Sequence, residues 1–303
     1  MSVKLDYGVP THRSGLNVRF GVDKGFFADE GIDLNVRVVY GGPEISAAYH
    51  SGDLKIGELG TPPGVTAIGN GKRFRIVGSG LQRGIGLFFL ARPEIKDWNG
   101  LKGKTLGTLS IGSCSYWYLV ELLKQHDIDP VRDVSIRGLN DDYPRQIELF
   151  EKGEIASLLS PEPNAALGEA KHVLKSWGDV LSLGDVPQLQ WIIQVANRDF
   201  LEAEPELVRN VLRAAQRASR YLGEHRDEFV AYTASFYGIP ADVAAIAVRR
   251  ELPFLHFDGQ LDLEGLRRAI ELQHHLGAIA ENIPVEHFVA SGYQPELPKP
   301  IAA

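Results

Sequence analysis

Residues 20–34 read FGVDKGFFADEGIDL, and this stretch decides the fold class of the chain. Apolar residues recur at helical spacing across Asn17–Phe27, and Gly31 is typical of the position that ends a helix. A strand pattern precedes this helix at Val3–Val9, and another follows it at Leu34–Val39. A strand, a helix and a strand in this order predict a parallel βαβ unit.

The same alternation continues along most of the chain. Strand patterns separated by helices of about ten residues predict mostly parallel sheets that are flanked by helices. From Pro205 onward the pattern is helical, which predicts a C-terminal helical segment. The further predicted strands are Lys55–Leu59, Arg75–Val77, Leu87–Leu90, Lys104–Leu109, Val134–Leu139, Ile155–Leu159 and Leu189–Val195.

The composition is that of an ordinary globular protein. The 303 residues are 44% hydrophobic and 23% charged with a net charge of −7, which excludes a disordered chain and a basic nucleic-acid binder. Cys114 is the only cysteine, so the sequence allows no intrachain disulfide and no CxxC metal or redox site. No apolar run reaches the roughly 18 residues of a membrane-spanning helix, so we expect none.

The first residues, MSVKLDY, enter a strand pattern at once. They lack the basic start, the apolar stretch and the small-residue cleavage site of a secretory signal. We therefore expect a cytoplasmic protein from the sequence as it stands, and a periplasmic protein if a signal has been removed.

Polar loops follow four of the predicted strands in the first third of the chain. His12 and Arg13 follow the first strand, and the loops 41–43, 60–62 and 80–83 follow the next three. The carboxyl ends of parallel strands meet at one edge of a sheet, where ligands bind in open α/β folds. Arginine can hold a carboxylate through two hydrogen bonds, and histidine changes charge near neutral pH. Glycine is common in ordinary turns, so the glycines of these loops need no ligand to explain them. Turn formation does not explain Arg13 in the first loop and Arg83 in the last.

The segment 112–116, Gly-Ser-Cys-Ser-Tyr, lies between a predicted strand and a predicted helix. The free N–H groups and the dipole of a helix N-terminus favour a carboxylate, a sulfonate or a phosphate, but serine is also an ordinary N-cap residue. Cys114 is a candidate nucleophile, because a helix N-terminus lowers the pKa of a thiol. The sequence identifies no base beside it, and a small buried pocket residue is the alternative interpretation.

Six motifs resemble those of one protein family, in the same order and over roughly residues 3–200. The chain resembles the type 2 periplasmic binding proteins of the nitrate/sulfonate/taurine and formyl-aminopyrimidine group. The motifs are FGVDKGFFADEGIDL at 20–34, GDLKIG at 52–57, LKGKTLG at 101–107, GSCS at 112–115, FEKGEIA at 150–156 and SPEP at 160–163.

This resemblance implies a two-lobed α/β fold, in which each lobe is a mostly parallel sheet flanked by helices and the lobes close on a small ligand. The first lobe would comprise residues 1–92 and 188–303, including the C-terminal helices, and the second lobe would comprise residues 93–187. The ligand residues that the resemblance implies, together with Trp191 as a pocket wall, are His12, Arg13, Gly42, Thr61, Gln82, Ser113, Cys114, Ser115, Asn140, Glu162 and Trp191.

The resemblance implies a solute-binding protein for a small anionic or heteroaromatic ligand of the sulfonate, carboxylate or pyrimidine type. Its partner would be an ABC permease, and we expect no metal, no cofactor and no nucleic acid. The alternative is a cytosolic enzyme on the same scaffold, similar to a desulfinase, a decarboxylase or a pyrimidine synthase, acting on an aromatic acid through His12, Arg13 and Cys114. A ligand-sensing domain is a third class, which no particular residue supports. Because one fold hosts many functions, the fold alone does not choose among them.

Overall fold

The computed structural model describes residues 2–140 and 143–293. The chain forms two compact units, each assembled from separate stretches. Unit 1 comprises Met1–Gly84, Leu189–Arg226 and Leu255–Ala303, and unit 2 comprises Ile85–Gln188 and Asp227–Phe254.

Unit 1 is built on a five-stranded sheet in the order β2-β1-β3-β10-β4. The neighbours β2, β1 and β3 run parallel, and β10 is antiparallel to both β3 and β4. Four strands therefore point in one direction, and their carboxyl ends share one edge. The strands are β1 Val3–Val9, β2 Ile32–Val38, β3 Ile56–Gly60, β4 Phe74–Ser79 and β10 Ile192–Asn197.

Unit 2 repeats this topology with the order β7-β6-β8-β5-β9. Here β5 is the antiparallel strand, paired with β8 and β9, while β6 is parallel to β7 and β8. Both sheets are thus mixed, with one antiparallel strand in an otherwise parallel arrangement. The strands are β5 Phe88–Ala91, β6 Thr105–Thr108, β7 Ser135–Gly138, β8 Ser157–Ser160 and β9 Lys175–Asp179.

Helices accompany both sheets. In the described residues of unit 1 they are α1 Leu16–Asp23, α2 Phe26–Asp29, α3 Gly42–Ser51, α4 Thr61–Gly69, α9 Arg198–Ala203, α10 Pro205–Glu224 and α13 Leu263–His275. The helices α5 Cys114–Gln125, α6 Tyr143–Glu151, α7 Asn164–Ala170, α8 Val180–Leu183, α11 Arg226–Tyr237 and α12 Ala241–Glu251 belong to unit 2, apart from Arg226 itself. No single helix in the described residues is long and apolar enough to cross a membrane. Helix α11 and the stretch Ala241–Phe254 reach that length and apolar character only when taken together, and the pair is bent by 114°.

The segment 20–34 forms two helices rather than the single predicted helix. Gly25 and Gly31 adopt φ angles of 79° and 73°, a left-handed conformation that glycine enters without steric cost. Gly25 separates α1 from α2, and Gly31 turns the chain into β2 beside β1, where Ile32 pairs with Val3. The predicted order of strand, helix and parallel strand is confirmed, and the break in the helix is the correction.

The glycine of the GDLKIG motif marks a close approach of two strands. A Cβ on Gly57 would lie 2.1 Å from the Gly8 carbonyl oxygen and 2.2 Å from the Tyr49 hydroxyl. The buried Tyr49 hydroxyl donates a hydrogen bond to that Gly8 oxygen at 2.9 Å, which joins α3 to β1. A side chain at position 57 would therefore separate β1 from β3 at the centre of the sheet.

The units divide the chain differently from the lobes that the resemblance implies. The helical stretch 227–254 belongs to unit 2, and unit 2 begins at Ile85. The reason is an apolar contact: Val243, Ala244 and Ala247 of α12 form a buried cluster with Ala166 of α7. Strand β9 has no counterpart among the predicted strands, because its residues are only partly buried and show no clear alternation. Residues 294–303 of the predicted third segment lie outside the described residues.

Candidate functional site

The edge of the unit 1 sheet collects the candidate residues of that unit. His12 and Arg13 lie in the loop after β1 and Gln82 in the loop after β4, while Gly42 and Thr61 are the first residues of α3 and α4, which follow β2 and β3. The carboxyl ends of these four strands share this edge. Trp191 immediately precedes β10, and since β10 runs in the opposite direction, its first residues reach the same edge, where Ile192 pairs with Gly60. The sequence thus predicted correctly that the loops end on one side of the sheet.

Hydrogen bonds connect Thr61 directly to Trp191, and connect Gln82 to the neighbouring Ile192. The N–H and the hydroxyl of Thr61 both donate to the Trp191 carbonyl, at 2.8 and 2.9 Å. The N–H of Ile192 donates to the Gln82 carbonyl at 3.1 Å. Because its hydroxyl is engaged by backbone and the residue is fully buried, Thr61 shapes this edge rather than presenting a free hydroxyl to it.

The loop after β1 places a positive charge inside unit 1. Arg13 is only 7% exposed, whereas His12 beside it is exposed. The loop is a turn in which the Ser14 N–H donates to the Thr11 hydroxyl at 3.2 Å. The helix that follows, α1, has no side-chain cap and no acidic residue in its first turn. The N–H of Gly15, the residue before α1, donates to the Glu58 carboxylate, so the feature of this loop that favours a further anion is the buried arginine.

The N-termini of α3 and α4 are less suited to an anion. The Glu44 carboxylate lies over the start of α3, with an oxygen 2.0 Å from where a Cβ of Gly41 would be. Helix α4 begins with Thr61, whose N–H is engaged, followed by Pro62 and Pro63, which have no N–H. Gly42 contacts α4 at this point, because its ideal Cβ would be 2.8 Å from Pro63.

The second group of candidate residues lies in unit 2, at the N-terminus of α5. The Ser113 hydroxyl caps this 12-residue helix by accepting from the Tyr116 N–H at 3.4 Å, and it lies 2.9 Å from the Ser115 hydroxyl. The Ser115 hydroxyl in turn lies 2.7 Å from that of Thr108 and accepts from the Leu109 N–H at 3.1 Å.

This hydroxyl chain fixes the first turn of α5 against the end of β6. The first turn contains no acidic residue. The N–H groups of Cys114 and Ser115 have no acceptor within the helix, as at every helix N-terminus. An anion at this position would therefore meet backbone donors and the positive end of the helix dipole.

Cys114 lacks the character of an activated nucleophile. Burial raises the pKa of its thiol to about 12, an effect larger than the opposing hydrogen bond from its own N–H group. A helix N-terminus lowers the pKa of a thiol that water can reach, but desolvation outweighs that effect here. This pKa favours the interpretation of Cys114 as a small lining residue over its alternative role as a nucleophile.

Asn140 and Glu162 also follow strands of the unit 2 sheet. Asn140 is exposed and adopts a φ of 55°. Its N–H donates to the Leu109 carbonyl at 2.7 Å, and the N–H of the same Leu109 donates to the Ser115 hydroxyl. Glu162 is buried, and its carboxylate accepts from the Ala166 N–H at 2.9 Å and pairs with Arg250 at 3.2 Å. Burial raises the pKa of Glu162 although both contacts oppose that change. The Glu162 side chain is thus engaged in holding α12 on α7.

A buried polar network in unit 1 was missed by the sequence reasoning. Glu58 on the central strand β3 is 3% exposed, and its carboxylate accepts from the Tyr7 hydroxyl at 3.5 Å and from the Gly15 N–H. The Gln194 amide donates to the Tyr7 hydroxyl at 3.1 Å. Burial raises the pKa of Glu58 to about 7, against the lowering effect of Gly15, Tyr7 and Arg19. The only signal in the sequence was a carboxylate between apolar residues of a predicted strand.

Arg83, the second arginine at this edge, has a carboxylate partner. Its guanidinium lies 3.4 Å from Asp258 and donates to the Gln260 carbonyl at 3.3 Å. It also contacts His256, whose pKa is lowered by burial and then by Arg83. Arg83 therefore organises the loop after residue 255. In the part of the chain that the structure describes, no group of three or more His, Cys, Asp or Glu side chains is placed to hold a metal ion.

Comparison with known sequences identifies relatives of this chain. A family model described as NMT1/THI5 like matches residues 17–229, more than half of the chain. The putative binding protein YtlA of Bacillus subtilis (strain 168) is 26% identical over 208 residues. That match covers 67% of this chain and 60% of YtlA, so the chain spans less than two thirds of the length of this curated relative.

Solved structures confirm the predicted fold. The alkanesulfonate-binding protein SsuA from Xanthomonas axonopodis pv. citri, bound to MOPS, has a TM-score of 0.74 at 16% identity, over 95% of this chain and 98% of its own. A cysteine-to-serine mutant of DSZB in complex with biphenyl-2-sulfinic acid has a TM-score of 0.70 at 17% identity, and the match covers 96% of this chain and 97% of the DSZB chain. The chain has a type 2 periplasmic-binding-protein fold, and this fold occurs in proteins whose ligands differ.

Proposed function

Because the chain belongs to the NMT1/THI5-like family, we propose that it is the ligand-binding component of an ABC import system and binds a small sulfonate or carboxylate. The names of its relatives support this role: YtlA is called a putative binding protein, and SsuA an alkanesulfonate-binding protein. The proposed partner is an ABC permease. The role requires a location outside the cytoplasmic membrane, so a cytoplasmic location would favour the enzyme alternative.

The observation that carries the proposal is the N-terminus of α5. Two serine hydroxyls, Ser113 and Ser115, stand beside backbone N–H groups in a first turn without acidic residues. A sulfonate has three oxygen acceptors and a full negative charge. Charge-assisted hydrogen bonds from N–H groups suit it better than they suit a neutral ring, so we favour an anion over a neutral pyrimidine.

Arg13 is the second element of the proposal. A buried guanidinium provides a permanent charge and several donors in a fixed plane, which is the usual means of binding a carboxylate or sulfonate. In unit 1, the Gly15 N–H at the start of α1 donates to the Glu58 carboxylate, so the charge available to an anion is that of Arg13 itself. In unit 1 we assign Arg13 the role of an anion contact, and in unit 2 we assign that role to the N–H groups of Cys114 and Ser115 at the start of α5.

The enzyme alternative rests on the likeness to DSZB and on Cys114. Its weakness is the thiol, whose pKa of about 12 leaves little thiolate at neutral pH. A binding protein needs no nucleophile at this position. We therefore give the binding role precedence and let the fate of the ligand decide between the two.

Calorimetric titration of the purified chain tests the proposal. We expect ethanesulfonate or benzenesulfonate to bind, the matching neutral sulfonamides not to bind, and Arg13→Met to weaken the sulfonate by about 2–5 kcal/mol. Arg37→Met is the matched control, because Arg37 is an exposed arginine paired with Asp53 on unit 1.

Mass spectrometry of the bound sulfonate after overnight incubation completes the experiment. Recovery of the unchanged ligand supports the binding role, and a desulfonated or hydrolysed product would replace it with the enzyme alternative. Full affinity in Arg13→Met would remove that residue from the site. The absence of binding by every sulfonate and carboxylate in the panel would contradict the proposal itself.

A further inference from the structure

Unit 1 contains a cavity apart from the strand-end residues discussed above. Its volume is about 400 Å³, within the range of small-molecule sites. It lies between α10 and the strands β4 and β10, and none of the eleven candidate ligand residues lines it. The lining residues are Asn17, Val77, Gly78, Ser79, Gln194, Arg209, Leu212, Arg213, Ala215, Gln216, Ser219, Gly259, Gly292 and Tyr293.

The inner wall of this cavity is polar although it is buried. Asn17, Ser79, Gln194 and Ser219 are each at most 5% exposed. The donors on this wall already have acceptors. The Asn17 amide donates to the Ser219 hydroxyl, and that hydroxyl donates to the Ala215 carbonyl. The Ser79 hydroxyl donates to the Gly80 carbonyl. Buried polar groups need partners, and a dry apolar cavity would not be lined in this way.

Two acceptors remain open on this wall. Across residues 2–140 and 143–293, neither Asn17 Oδ1 nor Gln194 Oε1 receives a hydrogen bond. The Gln194 oxygen lies only 2.6 Å from the position of a Cβ on Gly78, so glycine leaves the space that this oxygen uses. The inner end of the cavity therefore suits a group that donates hydrogen bonds, such as a hydroxyl.

The outer wall carries two arginine side chains. Arg209 and Arg213 of α10 have side chains that are 40% and 57% exposed, and they pair with Glu206 and Glu30. Exposed ion pairs of this kind contribute little stability, so an anionic ligand can replace one of them at small cost. Arg209 also lies over the Tyr293 ring, 5.2 Å from its centroid.

We propose that this cavity is a second binding site, which takes a small hydroxylated acid with its hydroxyls at Asn17 and Gln194 and its carboxylate at Arg209 and Arg213. The site does not depend on the proposed import function. It uses residues of unit 1 alone, and its ligand differs from a simple sulfonate in needing donors at the buried end.

Titration with D-gluconate as the probe tests the site. We expect a dissociation constant tighter than about 1 mM, and at least about tenfold weaker binding for D-sorbitol, which lacks the carboxylate, and for acetate, which lacks the hydroxyls. Arg213→Met should weaken gluconate about tenfold, whereas Arg220→Met, an exposed arginine of the same helix that does not line the cavity, should not.

Filling the cavity locates the bound probe. Leu212→Trp places a large ring in the cavity from a half-buried position and should abolish gluconate binding, and Ala215→Leu should do the same from the buried side. Leu207→Trp on the same helix, outside the lining, is the control. No gluconate binding by the unaltered chain, undiminished binding in Leu212→Trp, or an equal loss in Leu207→Trp would overturn the proposal. Ethanesulfonate binding in Leu212→Trp reports separately on the import function.

Discussion

At the scale of single residues, burial changes the chemistry of Glu58 more than its neighbours do. The carboxylate has a donor in Tyr7 and another in the Gly15 N–H, and both stabilise the charged form. Desolvation nevertheless dominates and raises the pKa to about 7. At pH 6 the residue therefore holds its proton in the folded state and releases it in the unfolded state.

Replacement of this residue should change the pH dependence of stability. Between about pH 4.5 and pH 7, Glu58 is ionised in the unfolded chain but protonated in the folded chain. The free energy of unfolding therefore falls as pH rises through this range, and Glu58 accounts for about 3 kcal/mol of the fall. Glu58→Gln should remove this contribution. Urea unfolding at several pH values checks it, with the exposed Glu286→Gln as the control. Equal slopes for Glu58→Gln and the unaltered chain would show that the pKa of Glu58 is not raised.

At the scale of elements, α5 combines a structural cap with a proposed ligand contact. Ser113 accepts from the Tyr116 N–H and donates to the Ser110 carbonyl at 2.6 Å, so it joins the helix to the preceding turn. The backbone N–H groups of the same first turn, on Cys114 and Ser115, are the proposed donors to the ligand. These two roles respond differently to a negative charge, because a carboxylate is a good cap but repels an anion.

Ser113→Asp separates the two roles. We expect the melting temperature to stay within a few degrees of that of the unaltered chain, because aspartate is as good an N-cap as serine. Sulfonate binding should be lost, because the new carboxylate occupies the positive end of the helix dipole. Ser113→Ala, by comparison, should cost about 1 kcal/mol of stability and weaken binding less. Calorimetry and thermal unfolding measure both properties, and retained sulfonate affinity in Ser113→Asp would exclude the α5 N-terminus from the site.

At the scale of the whole molecule, the chain builds each unit from stretches that are distant in sequence. In unit 2, α12 is joined to α7 by an apolar cluster and by Arg250, which pairs with Glu162 and Glu169. Glu162 has a side chain that is only 1% exposed. Arg250 therefore compensates the buried negative charge of Glu162, although the two residues are 88 positions apart in the sequence.

Arg250→Met should destabilise unit 2 by about 3 kcal/mol, because it leaves the Glu162 charge buried without its cation. The next residue, Arg249, is exposed, and Arg249→Met should change stability little. Adding Glu162→Gln to Arg250→Met should restore part of the loss, since the uncompensated charge is then removed. Thermal and urea unfolding measure all three variants. A loss of the same size in both single variants would point to α12 helicity rather than to the ion pair.

Much of the architecture follows from local patterns. The predicted order of strand, helix and strand at residues 3–39 is confirmed because hydrophobic period and glycine positions act over a few residues. The strand-end loops were also placed correctly, because parallel strands bring their carboxyl ends to one edge. The partners of Arg83 and Glu162 were not predictable, because Asp258 and Arg250 lie 175 and 88 positions away in sequence.

The sequence by itself determined the family, the alternation of strands and helices and the edge at which the loops gather, because periodicity, turn chemistry and motif spacing are properties of neighbouring residues. Only the tertiary structure decided which charged groups are buried or compensated, that residues 227–254 join unit 2, and that a polar cavity lies beneath α10. Burial and desolvation depend on contacts between distant stretches, and these exist only once the chain is folded.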